Sequence, residues 1–310
     1  MSNDNNTSIL PATFIKNNQI QAAESKKLIW WLLYVCFAYH YKVIVCGFFG
    51  KTLGFTFLCS TLIHGVTINH WFEQLIYVPG LWYAYYQIIS IVFGPHDHEI
   101  LSSLVRKQKK IAHFLLAMYI YGIGIHFMNT VEIYSRKYLD ISSGPLYEQI
   151  YWIDEEFSHW VQFFFYFMLF AWLIVHDRLD RTHGGYIAVF TGLLHGLERA
   201  IGVIEGDSPN IALVFGGWIL IACLIRWRKH GLDFKRVWKD FLFRHGLSFG
   251  LSMPIALYTY HLVFNGYVQP STMGNRGWLV ILFVAIFTTI GFLLAVGLDK
   301  LLSREKLRAQ

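Results

Sequence analysis

The chain has 310 residues, 55% of them hydrophobic, 18% aromatic and 15% charged, against roughly a quarter charged in an ordinary soluble domain, so a water-soluble fold is excluded. Its net charge is +6, but the basic residues gather between apolar runs with no interleaved nucleic-acid motif, and they read as topology signals rather than a nucleic-acid surface. The four cysteines, Cys36, Cys46, Cys59 and Cys223, lie inside apolar runs without CxxC or Cys/His spacing and are expected to be core thiols.

In chain order, Met1 to Lys27 is polar and is expected to be a retained N-terminal tail. Apolar runs of membrane-helix length follow at Leu28 to Phe49, Thr52 to Asn69, Gln74 to Gly94, Ile111 to Ile133, Ile150 to Val175, Gly185 to Ile204, Ile211 to Trp227, Leu247 to Phe264 and Trp278 to Leu298. The expected fold class is all-α, a polytopic transmembrane helical bundle of about eight or nine membrane-embedded helices, with the single domain 28–299 between the tail 1–27 and a basic tail 300–310. The lower count allows for Leu28 to Phe49 being interfacial or re-entrant, because Lys26 and Lys27 precede it. Alternate loops hold nearly all the Lys and Arg, from Arg106 to Lys110, from Arg226 to Arg244 and at the C-terminus, which is therefore expected on the cytoplasmic side of an integral, multi-pass protein.

Ionisable residues inside such helices are costly and call for partners, water or a metal. At about 100° per residue, Trp152, Glu155, Glu156, His159, Gln162 and Tyr166 fall on one helix face. Asp154 points away and is expected to be a helix-end residue whose change to Asn is silent. The preceding helix carries His126, Asn129 and Glu132 on one ridge, and the following one carries His195, Glu198, Arg199 and Glu205 within a narrow sector. With the charge-based orientation applied, all of these meet in the leaflet away from the cytoplasm.

Imidazoles and carboxylates at facing helix positions are the donor set of a Zn, Fe or Mn site. The expected metal ligands are Glu132, Glu156, His159, His195, Glu198 and His126, with Glu205 as proton shuttle, Arg199 orienting substrate, and His126 or His261 completing the shell. Glu156 and His159 have Glu-x-x-His spacing, but His195-Gly196-Leu197-Glu198 runs in reverse, so no di-iron family is assigned. His64, His113 and His245 read as lone core or interface histidines, His96 and His98 as a solvated loop, and the G-x-S-x-G match at Gly246 to Gly250 as chance. The function expected first is a divalent-metal (Fe, Mn or Zn) membrane enzyme acting on a lipid-like substrate among membrane lipids. An ion- or proton-coupled transporter and a structural or haem-binding subunit stand as alternatives.

Overall fold

A computed structural model describes residues 12–38, 62–63, 66–94, 103–177 and 185–273, with the isolated positions 290 and 297. Its helices are α1 (Ala12–Ala38), α2 (Ile68–Phe72), α3 (Val78–Val92), α4 (Ser103–Ile125), α5 (Met128–Tyr138), α6 (Pro145–Tyr151), α7 (Ser158–His176), α8 (Gly185–Glu205), α9 (Pro209–Lys229), α10 (Phe234–Val237) and α11 (Phe241–Phe264). Wider π turns at Glu73–Tyr77 and Trp152–Phe157 join α2 to α3 and α6 to α7.

Six helical stretches are long and apolar enough to cross a membrane: His70–Val92, Ser103–Tyr138, Pro145–His176, Tyr186–Glu205, Pro209–Lys229 and Phe241–Phe264. The protein is thus an all-α bundle, with six candidate spans among the described residues; the eight or nine expected are not confirmed. The remaining expected spans fall largely outside those residues: Trp278 to Leu298 almost entirely, Thr52 to Asn69 up to residue 61, and Leu28 to Phe49 beyond Ala38. Where they can be compared, there are two differences. Helix α1 already begins at Ala12, inside the segment expected as a tail. The end of the second expected span is a small antiparallel ladder, Leu62 against Thr67 and Ile63 against Val66, in keeping with its β-branched side chains.

Local chemistry explains the helix ends. Pro145 and Pro209 occupy first-turn positions, where the missing N–H is not needed. Asp240 caps α11 by accepting from Leu242 N at 3.0 Å, and Asn265 closes it in the left-handed conformation at φ 53°.

Small residues set the tightest helix contacts. Gly192 and Gly196, four apart on α8, face α11 so closely that a Cβ on Gly196 would stand 2.8 Å from the Phe249 carbonyl oxygen, and one on Gly192 would collide with that of His245. Gly122 of α4 does the same against α7, where a Cβ would lie 2.6 Å from Gln162 N. Buried apolar side chains from α1, α3, α4, α7, α8, α9 and α11 form one contiguous core.

One end of the bundle is basic. There Trp172 donates to the Gln108 carbonyl at 3.1 Å and Lys229 to that of Val175 at 3.0 Å. Arg226 grips Asp240 with Nε and Nη2, both at 2.6 Å, and also donates to the Asp177 carbonyl. The polar side chains expected to form a site lie towards the other end and in the middle.

Candidate metal centre and the polar cluster beside it

The polar residues form two clusters rather than one. The outer cluster sits where two helix irregularities face each other. Helix α4 breaks after Ile125, where Phe127 N bonds back to the Gly124 carbonyl at 3.1 Å before α5 resumes. Opposite it lies the π turn Trp152–Phe157. A π turn holds an extra residue, so the face presented before it is rotated relative to an uninterrupted α-helix.

That rotation corrects the expected facing. Asp154 is fully buried, with Oδ1 2.8 Å from His126 Nδ1 and Oδ2 accepting from Asn129 Nδ2 at 2.9 Å. Glu156 is exposed. Glu155 is half-buried, and its backbone carbonyl accepts from His159 Nδ1 at 2.5 Å. The rings of His159 and His126 stand 4.8 Å apart, and Gly206 abuts the first so closely that a Cβ would come within 3.1 Å of Nε2. Glu132, also buried, accepts from the Tyr147 hydroxyl and lies 3.7 Å from Arg136 Nε, so it holds α6 against α5. Glu205 closes α8 half-buried, two helical turns beyond Glu198, and its carbonyl accepts from Gln269 Nε2 at 3.1 Å. His261 is exposed beside Tyr267 and completes no shell.

The inner cluster lies deeper. Cys36 of α1 and His195 and Glu198 of α8 bring one donor atom each to within 4.8 Å of one another, all three buried. Donors around a zinc ion at about 2.0–2.3 Å stand roughly 3.5 Å apart, so a small inward movement of side chains closes this set on a metal. Glu198 is 3% exposed, and neither carboxylate oxygen has a hydrogen-bond partner among the described residues. Arg199, wholly buried, places its guanidinium carbon 4.0 Å over the Tyr166 ring. The Tyr166 hydroxyl lies 2.5 Å from His195 Nε2, His195 Nδ1 is 3.2 Å from His245 Nε2, and His245 Nδ1 is 3.0 Å from the Thr191 hydroxyl.

Of the expected ligands, His195 and Glu198 meet, with Arg199 beside them. His126 and His159 meet in the other cluster, while Glu132 engages Tyr147 and Arg136 and Glu156 is exposed. Cys36 and His245 are buried as expected of core residues and stand in the inner cluster as well, whereas Asp154, expected as a helix end, is buried in the outer one. Helix α7 links the clusters, since His159, Gln162 and Tyr166 follow one buried face at helical spacing. Cys46, Cys59, His40, His64, His96 and His98 lie outside the described residues. Compared with protein-family models, with curated proteins and with solved structures, the chain matches none.

Proposed function

We propose that this multi-pass membrane protein is a metal-dependent enzyme whose divalent metal is held by Cys36, His195 and Glu198 and whose substrate is lipid-like. The observation that carries the reading is Glu198. Its carboxylate is buried beside a thiol and an imidazole with no hydrogen-bond partner among the described residues. Buried carboxylates are ordinarily hydrogen-bonded, paired or bound to metal. A thiolate donor favours zinc or iron over manganese. Three protein donors leave a fourth coordination position, which is the pattern of catalytic rather than structural zinc, and a water there becomes a nucleophile near neutral pH. The lipid-like substrate is suggested by the apolar helices among which Cys36, His195 and Glu198 are buried.

Elemental analysis of the purified, detergent-solubilised protein tests the centre. Near-stoichiometric zinc or iron is expected, lost in Cys36→Ser and in Glu198→Gln and kept in Glu156→Gln. A wild-type protein without metal above background overturns the reading. Incubation with a membrane-lipid extract, with and without a chelator, then tests the enzyme: a chelator-sensitive change in lipid mass is expected.

A second reading has its own observation. The unbroken chain of side-chain contacts from Tyr166 through His195 and His245 to Thr191 is the kind of array that carries protons, and a proton-coupled cation carrier would use it beside a cation site. Zinc uptake into proteoliposomes driven by a pH gradient, and abolished by Glu198→Gln, would favour carriage over catalysis.

A further inference from the structure

The inner chain has a direction. The Thr191 hydroxyl has carbonyl oxygens of its own helix within reach, Ile187 at 2.9 Å and Ala188 at 3.2 Å, and a carbonyl can only accept. A Thr191 hydroxyl that donates to one of these carbonyls accepts from His245 Nδ1–H. A neutral imidazole with its proton on Nδ1 has its lone pair on Nε2, so His245 Nε2 accepts from His195 Nδ1–H. His195 Nε2 in turn accepts from the Tyr166 hydroxyl. The opposite polarity would have to send the Tyr166 proton away from His195, the partner with which its hydroxyl makes its hydrogen bond.

We infer that Thr191 and His245 are positioning residues that lock His195 in its Nδ1–H tautomer, so that Nε2 is the nitrogen offered to a metal and Tyr166 is the group that yields it. This deepens the metal reading and rests on it for the identity of the ligand. An outer hydrogen-bond partner on the second ring nitrogen is what metal-bound histidines generally have, and here a second imidazole supplies it. A metal held here would take His195 Nε2 in place of the Tyr166 hydrogen bond and Cys36 as thiolate, the thiol proton being released on binding. The groups facing the chain are Cys36 from α1, Tyr119 from α4, Tyr166 from α7, Glu198 and Arg199 from α8, and His245 from α11. Arg199 stacks on Tyr166 from the ring face, leaving its hydroxyl directed at His195.

Two measurements on the full chain in nanodiscs separate the tautomer from the metal. Nitrogen NMR of the metal-free, ¹⁵N-histidine-labelled protein reads the tautomers directly. Both rings are expected protonated on Nδ1, with His245 becoming a tautomer mixture in Thr191→Val and returning in Thr191→Ser; a proton on His195 Nε2 in the wild type overturns the polarity whatever the metal does. Titration with Co²⁺ alone reads the ligand. Binding is expected to weaken about 10–100-fold in Thr191→Val and His245→Asn. Tyr166→Phe, which keeps the ring under Arg199, is expected to bind at least as tightly as wild type and faster. Unchanged affinity in Thr191→Val and His245→Asn sinks the positioning role, slower binding in Tyr166→Phe sinks the yielding role, and no cobalt binding in the wild type sinks the metal reading while the NMR result stands.

Discussion

Asp154 holds the outer cluster together. Its two carboxylate oxygens engage side chains from two different helical segments, the His126 ring at the break after α4 and the Asn129 amide at the start of α5. A hydrogen bond to a charged group contributes about 1.5–3 kcal/mol, so Asp154→Asn is expected to lower the thermal midpoint of the solubilised protein by several degrees. Glu156→Gln, on an exposed side chain, is expected to fall within about 0.5 kcal/mol of wild type. Thermal unfolding of the two variants side by side checks this, and equal losses would mean that Asp154 is not the anchor. The residue types of the clusters were legible in the sequence, because ionisable side chains inside apolar runs stand out. Their partners were not. Cys36 meets Glu198 from a helix far away in sequence, and His245 meets His195 across a helix pair, and no local pattern encodes either pairing.

The π turn Trp152–Phe157 shows why facing could not be read from a regular period. An α-helical wheel drawn from Tyr166 backwards through His159 is correct, and Gln162 and His159 are buried as it requires. Beyond Ser158 the extra residue moves Asp154 to the place the wheel assigns to its neighbour. Nothing in Trp152-Ile153-Asp154-Glu155-Glu156-Phe157 announces the bulge, which faces the break after α4 and brings Asp154 to His126 and Asn129. The glycine contacts make an independent claim about how α8 meets α11. Gly192→Ala puts a methyl against the His245 carbonyl oxygen and is expected to cost about 1–3 kcal/mol. Gly217→Ala, in α9 with nothing within 4 Å of its Cβ, is expected to be neutral or to gain up to about 1 kcal/mol, since alanine favours a helix over glycine. Comparable losses in both would mean that close packing is not what holds α8 to α11.

The bundle as a whole has a lipid-facing exterior and an electrically asymmetric pair of ends. On α11, Ile255, Tyr258 and Leu262 are 64%, 64% and 62% exposed along one face, an arrangement that a water-soluble monomer would bury and a bilayer accommodates. The existence of each described span was readable from hydropathy, because each needs a stretch of about 20 apolar residues whatever its neighbours are, while the ends of Ser103–Tyr138 and Pro145–His176 run well past the expected bounds. The asymmetry of the ends leads to the remaining prediction. Arg106, Lys107, Lys109 and Lys110 begin α4, Arg226, Arg228 and Lys229 end α9, and the contacts among Gln108, Trp172, Val175, Asp177, Arg226, Lys229 and Asp240 put these charges at the same end. Basic residues are retained on the cytoplasmic side, so that end is expected to face the cytoplasm and the Asp154 cluster the opposite side. Ser103 and Ser143 are exposed at the two ends and suit single-cysteine labelling. In intact cells a membrane-impermeant maleimide is expected to reach Ser143→Cys and to reach Ser103→Cys only after permeabilisation. The reverse pattern would invert the bundle, put the outer cluster in contact with the cytoplasm, and make any proton or substrate arriving there cytoplasmic in origin.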